Sequence, residues 1–323
     1  MSGQKRATLS RGVRLGAEAL GRPRSSAMRR QEARDGYLMI LPWLVGFLGL
    51  VLGPMIASFL ISFTNWQLVV APQWIGLENY VTMLSKDSLI RASLADTAFY
   101  AFISTPLYAC IGLGLALALQ RRRRGLYFYR TIYFLPSITP VVASTLLWML
   151  IFEPSFGWAS YVLQFLHLPQ QLWLSDPHEA KPVLIVMYLW GAGGSLPIFL
   201  AGLNAIPAEL YEAAAVDGAS GWRIFRGITL PLVSPVLFFI LVTGFIAGFQ
   251  VFTPAYVATG GTGNPEHSTL FFALYLYNNA FRYLNMGYAS AMAWLLFVIV
   301  LGFTIVQFGV ARRLVYYESS PDA

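Results

Sequence analysis

Six uncharged apolar runs dominate this chain, at residues 37–63, 97–119, 131–152, 183–203, 236–257 and 286–310. Not one of them contains Asp, Glu, Lys or Arg. A helix needs about 20 apolar residues, at about 1.5 Å each, to cross the hydrocarbon core of a bilayer, and each run meets that length. Period-two alternation is absent, and each run exceeds the roughly ten residues of a barrel strand, so the helical solution to backbone satisfaction in lipid applies. The expectation is an all-α polytopic membrane protein with six transmembrane helices. A composition of 57% hydrophobic and 11% charged residues, with mean hydropathy +0.59, agrees. Pro42, Pro54, Pro106, Pro197 and Pro254 fall inside the runs, where neighbouring helices can satisfy the freed backbone groups.

The basic residues set the orientation. With the N-terminus in the cytoplasm, 18 of the 22 Lys and Arg lie in inside segments, and only Lys86, Arg91, Lys181 and Arg282 lie outside. By the positive-inside rule both termini are expected in the cytoplasm. The organisation is then a basic cytoplasmic arm at 1–36, poorly ordered or surface-lying, with an amphipathic stretch around Val13–Leu20, a membrane domain at 37–313 with a cytoplasmic loop at 204–235, and a short tail at 314–323. Glu18, Glu32 and Asp35 argue against a transit peptide, and the first apolar run is too long for a signal sequence.

Several classes are disfavoured. The net charge of +7 comes from residues beside helix ends, including Arg121–Arg124, where topology and anionic headgroups account for them, so nucleic acid is not an expected partner. Cys110 stands alone and can form no intrachain disulfide. His167, His178 and His267 fall in outside loops without metal-ligand spacing. A P-loop requires a lysine directly after glycine, whereas Lys5, Lys86 and Lys181 follow Gln4, Ser85 and Ala180. No catalytic acid, base and nucleophile set is visible, and the runs lack the intramembrane ionisable residues typical of a secondary transporter.

The loop at 204–235 is the most structured polar segment. Pro207 suits the first position of a helix, Glu209 and Glu212 its positive end, and Ala213, Ala214 and Ala215 its body. Gly218 can end it in the left-handed conformation, and Ser220 can cap a second short helix bearing Trp222, Phe225 and Ile228, with Pro231 turning the chain into the fifth span. Two short helices of this kind must dock on something, either headgroups or another protein.

The run Glu212–Ala219, followed by Phe225, Ile228, Leu230, Pro231 and Pro235, resembles the EAA signature of permease subunits in binding-protein-dependent ABC importers. Ile75–Tyr80, Thr259–Gly261, Thr269–Phe281 and Gly287–Ala291 are similar to segments of the carbohydrate-type permeases, nearer to the first of the two permeases usually encoded together. One departure is Gly261–Pro265, more often a compact Gly-Gly-Pro in that family. The resemblance implies a type I importer transmembrane fold. It implies that this loop seats in a cleft of a separate ATPase, with Glu212, Ala213, Asp217 and Gly218 at the contact. The partners it implies are two copies of a P-loop ATPase carrying ATP and magnesium, a second permease and an extracytoplasmic solute-binding protein, all at a bacterial or archaeal plasma membrane. The chain itself is expected to bind no cofactor or metal and to be no enzyme.

For the solute path, Gln250, Tyr188, Trp190 and Tyr256 are the polar and aromatic candidates at membrane depth. Gln250 equally suits a bond to a neighbouring helix, and the aromatics suit interface anchors. The resemblance points to a carbohydrate, with glycerol phosphate and polyols as the alternative. No Lys or Arg lies within a span to meet a phosphate.

Overall fold

The computed structural model describes residues 26–120 and 125–315. Arg121–Arg124, the stretch at Val13–Leu20 and residues 316–323 lie outside the described residues. Among the described residues the structure is helical, with only isolated bridges at Thr64–Trp74 and Gln67–Asn285. Among the described residues, five helices are long and apolar enough to cross a membrane, or six when one bent pair counts as a single span. The chain divides after Ser58 into two compact units.

In the first unit, α1 (Ser26–Gly46) runs into a π-helical turn at Phe47–Leu52 and then α2 (Gly53–Ile61), whose last turn passes the division. The expected arm at 1–36 therefore has helical residues from Ser26 onward. Pro54 has no amide proton and its ring crowds the preceding turn. The helix answers with a wider register there, Gly53 N–H donating to Leu48 O. Tyr37, Trp43 and Leu50 point outward from this segment, and an apolar helix without a buried stripe belongs in lipid.

In the second unit, α3 (Glu78–Ser85) precedes α4 (Ser88–Leu119), which begins where the Asp87 carboxylate accepts the Leu89 N–H at 3.0 Å. This helix is the central post. Its first half packs Ile90, Tyr100 and Ala101 into a cluster with Leu184, Phe271, Phe272 and Met292. Its second half packs Ala109, Leu113 and Ala116 with Phe199, Leu203 and Val233. At its far end the Arg130 guanidinium donates to Leu119 O at 2.7 Å, satisfying a terminal carbonyl.

The third apolar run, expected as one span at 131–152, is two helices, α5 (Leu126–Ile138) and α6 (Val141–Ile151), bent by 98°. Proline disfavours helical backbone in the residue before it. Thr139 is accordingly extended, with ψ 129°, before Pro140. After α7 (Trp158–Phe165), the fourth run forms α8 (Ala180–Trp190), a tight 3₁₀ turn at Gly191–Ser195 and α9 (Leu196–Asn204).

The polar loop forms α10 (Ala208–Val216) and α11 (Gly221–Ile224). The latter continues through a π turn at Phe225–Thr229 into α12 (Leu230–Phe249). Pro231 lies within the first turn of α12, where proline is tolerated, and the chain runs through it as continuous helix where a turn into the fifth span was expected. The fifth run, expected to be unbroken over 236–257, is interrupted at 250–252 before α13 (Thr253–Thr259). Then α14 (Phe272–Tyr277) docks on the central post, Phe272 N–H donating to Thr97 Oγ1 at 2.8 Å, and α15 (Met286–Leu314) completes the unit.

Candidate functional site

The loop after α9 builds a short rod. Pro207 is the residue before the first helical one, with ψ 134°, and not the first helical residue itself. The rod ends in a Schellman arrangement: Ala219 N–H donates to Ala214 O at 2.9 Å, and Gly218 N–H to Ala215 O at 3.1 Å. Gly218 has φ +67°. Ser220 occupies the cap position of α11 with extended backbone, yet its side chain makes no capping bond, contrary to expectation. Tyr211 shares a 3.1 Å hydrogen bond with Thr229, which ties the rod to the root of the fifth span.

Glu212, Ala213, Asp217 and Gly218 are all exposed on this rod and its end. Beside them project Val216, 88% exposed, and Trp222, 69% exposed and stacked on Phe225 at 5.4 Å between ring centroids. Val216 was not singled out from the sequence, because a valine inside an alanine-rich helix looks like packing until the partnerless side of the rod is known.

A second feature lies at the bend between α5 and α6. A cavity of about 240 Å³ is lined by Tyr108, Ser137, Thr139, Ser144, Tyr188 and Trp190, among others. Tyr108 and Tyr188 lie with ring centroids 5.0 Å apart, and Trp190 meets Trp148 edge-on at 5.9 Å. Tyr188 and Trp190 are thus brought together. Gln250 and Tyr256 are not among the lining residues. Gln250 is exposed and ends α12, its backbone N–H donating to Ala247 O, while Tyr256 packs on Phe252 and Tyr277. Tyr108, Ser137, Thr139 and Ser144 were missed in the sequence. The available signal was the pair Pro136 and Pro140, which opens the third run and leaves hydroxyls at its break. Among the described residues, no three His, Cys, Asp or Glu side chains come together.

Residues 110–316 match the family of the binding-protein-dependent transport system inner membrane component. The chain belongs to this family. The matched region contains the whole rod and, apart from Tyr108, the named cavity residues. A probable ABC transporter permease, YesP of Bacillus subtilis, is 41% identical over 309 residues, covering 95% of this chain and 99% of the relative. The trehalose/maltose transport system permease MalF of Thermococcus litoralis is 36% identical, covering 89% and 97%. The fold is shared with a chain of a bacterial alginate ABC transporter solved with an alginate-bound periplasmic protein, with TM-score 0.75, 23% identity and coverage of 88% and 96%. The family member described here is therefore a multi-pass membrane permease of an ABC importer, with the type I transmembrane fold.

Proposed function

We propose that this permease forms half of the membrane path for a neutral carbohydrate, driven by ATP hydrolysis on separate subunits. The observation that carries the substrate class is the cavity at the bend. Its rings of Tyr108, Tyr188 and Trp190 suit the apolar faces of a sugar, and its Ser and Thr hydroxyls suit the sugar's polar edge. Its lining holds no Asp, Glu, Lys or Arg, so a phosphate would find no cation there. The trehalose/maltose relative supports this reading. The sn-glycerol-3-phosphate permease UgpA of Agrobacterium fabrum, 34% identical over 253 residues, is the relative whose name points instead to a phosphorylated solute. At about 240 Å³ the cavity is smaller than ligand pockets usually are, which fits a site completed by a second, different permease.

The rod is the coupling element in this reading. Glu212 and Asp217 face basic groups of a P-loop ATPase, two copies of which hold ATP and magnesium, while Val216 and Trp222 fill apolar ground beside them. Because Tyr211 and the continuous α11–α12 connection join the rod to the fifth span, closure of the ATPases moves that span as a rigid body. An extracytoplasmic binding protein delivers the solute. Both termini face the cytoplasm of a bacterial or archaeal cell, following the distribution of basic residues.

The test is affinity purification of the tagged chain, followed by reconstitution and radiolabelled sugar uptake. Recovery of an ATPase and a second permease, with uptake that requires ATP and survives collapse of ion gradients, is the expected result. Purification of the chain alone, with ATP-independent uptake, overturns the proposal.

A further inference from the structure

The larger cavity lies at the other end of the second unit. It measures about 580 Å³, well within the usual size range of small-molecule sites. It is built where α4 and α15 begin, whereas the opposite end of α4 adjoins Leu203 through a hydrogen bond from Gln120, close to the coupling rod. The 32 residues of α4 separate the two ends by about 48 Å. None of the residues lining this cavity lines the one at the bend.

Its floor is tied down. Asp87 Oδ2 accepts the hydroxyls of Tyr275 and Tyr288, each at 2.7 Å, while Oδ1 accepts Leu89 N–H. One carboxylate thus joins the starts of α4 and α15 to α14. Burial, and then the Asp87 carboxylate itself, push the Tyr275 phenol above its ordinary range, so it remains a neutral donor. The wall is held as firmly. Gly287 N–H donates to Trp66 O at 3.1 Å, and residues 67 and 285 form an antiparallel bridge.

The amides on this frame have hydrogen-bonding capacity to spare. Asn79, 8% exposed, donates through Nδ2 to Ser62 O and Thr64 O, both at 2.8 Å, and its Oδ1 has no hydrogen-bond partner among the described residues. Asn279, 5% exposed, donates to Tyr275 O at 3.0 Å, and its Oδ1 is equally without one. Asn65 and Asn285 are arranged the other way. Their Oδ1 atoms accept from Gln73 N–H and Gln67 Nε2, leaving their Nδ2 groups to donate. These four amides and Trp66 line one cavity, and the amide atoms left over amount to two acceptors and two donors. A hydroxyl both donates and accepts, so adjacent hydroxyls of a pyranose match such a set, while Trp66 offers a face for the sugar's C–H groups. Lys86 and Asp87 offset each other in charge, and the remaining lining is neutral.

We infer that this cavity is a vestibular binding site for a neutral saccharide unit, separate from the cavity at the bend and on the side from which the solute arrives. The inference rests on the importer reading for its direction, but binding can be measured apart from transport.

The experiment is a titration of the purified chain in lipid nanodiscs, without binding protein, using glucose, trehalose and maltose, with glycerol 3-phosphate as the charged comparison, read by saturation-transfer NMR. Saturable binding of a neutral sugar is expected. Trp66→Ala and Asn285→Ser are each expected to weaken it about tenfold, the equivalent of one hydrogen bond or stacking contact, with thermal unfolding checked to show that each variant is folded. Should Trp66→Ala unfold, the milder Asn65→Ala, at an exposed position, carries the same expectation. Absence of binding by every sugar overturns the vestibule, as does preference for glycerol 3-phosphate. Binding abolished by Tyr188→Ala but untouched by Trp66→Ala assigns the sugar to the bend and likewise overturns it. ATP-driven uptake by the whole importer is measured in parallel: uptake without vestibular binding removes only this inference, whereas absence of sugar uptake removes the carbohydrate reading.

Discussion

Gly218 carries the sharpest single-residue constraint. Nothing lies within 4 Å of the place a Cβ would occupy, so space is not the issue. Its φ of +67° is: left-handed backbone costs a residue with a Cβ about 1–2 kcal/mol, and a β-branched residue is a worse fit still. Gly218→Val is therefore expected to leave membrane insertion intact while abolishing substrate-stimulated ATP hydrolysis and uptake, with Gly218→Ala intermediate. Both are measured in reconstituted vesicles, and wild-type coupling in the valine variant counts against the rod's role. A second residue-scale constraint is the ion pair of Lys181 with Asp96, 2.6 Å long, with side chains 22% and 17% exposed. It joins α8 to α4, and Lys181 also lies 5.4 Å from the Phe99 ring centroid. Asp96→Asn is expected to lower stability by about 1.5–3 kcal/mol, the worth of a charge-assisted hydrogen bond. Thermal unfolding in detergent checks this, and Asp96→Asn with Lys181→Met should recover part of the loss by removing the stranded cation.

Among elements, the contact of α4 with α12 shows how helices associate without a hydrophobic drive. Ala101 and Thr105 on one face Gly248 and Gly244 on the other, and a Cβ on Gly248 would sit 3.0 Å from that of Ala101. Small residues at four-residue spacing let backbones approach and gain dispersion contact that lipid cannot supply. Gly248→Leu is expected to destabilise by at least about 1–3 kcal/mol through overpacking. Ala101→Gly should relieve only part of that in the same unfolding assay, since a leucine exceeds the volume of one methyl group. The spacing of Gly244 and Gly248 was visible in the sequence, but its partner on α4 was not. The bend at Thr139–Pro140 was half visible. Hydropathy sums over a window and reports one span at 131–152, whereas the proline acts on a single peptide and turns that span by 98°. The break at 250–252 had a signal that hydropathy likewise averages away: Pro254 has no amide proton to donate to the carbonyl four residues back, at Gln250, and it begins the next helix instead.

At the scale of the whole molecule, the proposed coupling surface combines two kinds of force. Glu212 and Asp217 are exposed charges whose attraction is screened over about 8–10 Å at ordinary salt. Val216 and Trp222 supply contact that salt does not weaken. Co-purification of the ATPase with a Glu212→Gln variant is expected to fall and to lose part of its salt dependence, Asp217 keeping the rest, while Trp222→Ala weakens it at every ionic strength. An unchanged salt profile in Glu212→Gln removes the charged contact from the proposal. Local chemistry was enough to read the helical class, the number of apolar runs, the rod and its glycine, since hydropathy, charge and backbone preference act over one or two turns. The sequence by itself thus determined that the chain is membrane-embedded, all-helical and of the permease family. Only tertiary structure decided which hydroxyls and rings face one another at the bend, and how Asp87, Tyr275 and Tyr288 hold a polar cavity together across some two hundred residues. The physical reason is that a side chain's partners depend on which faces the packed helices turn toward each other, and that rotation follows from long-range packing that no local pattern records.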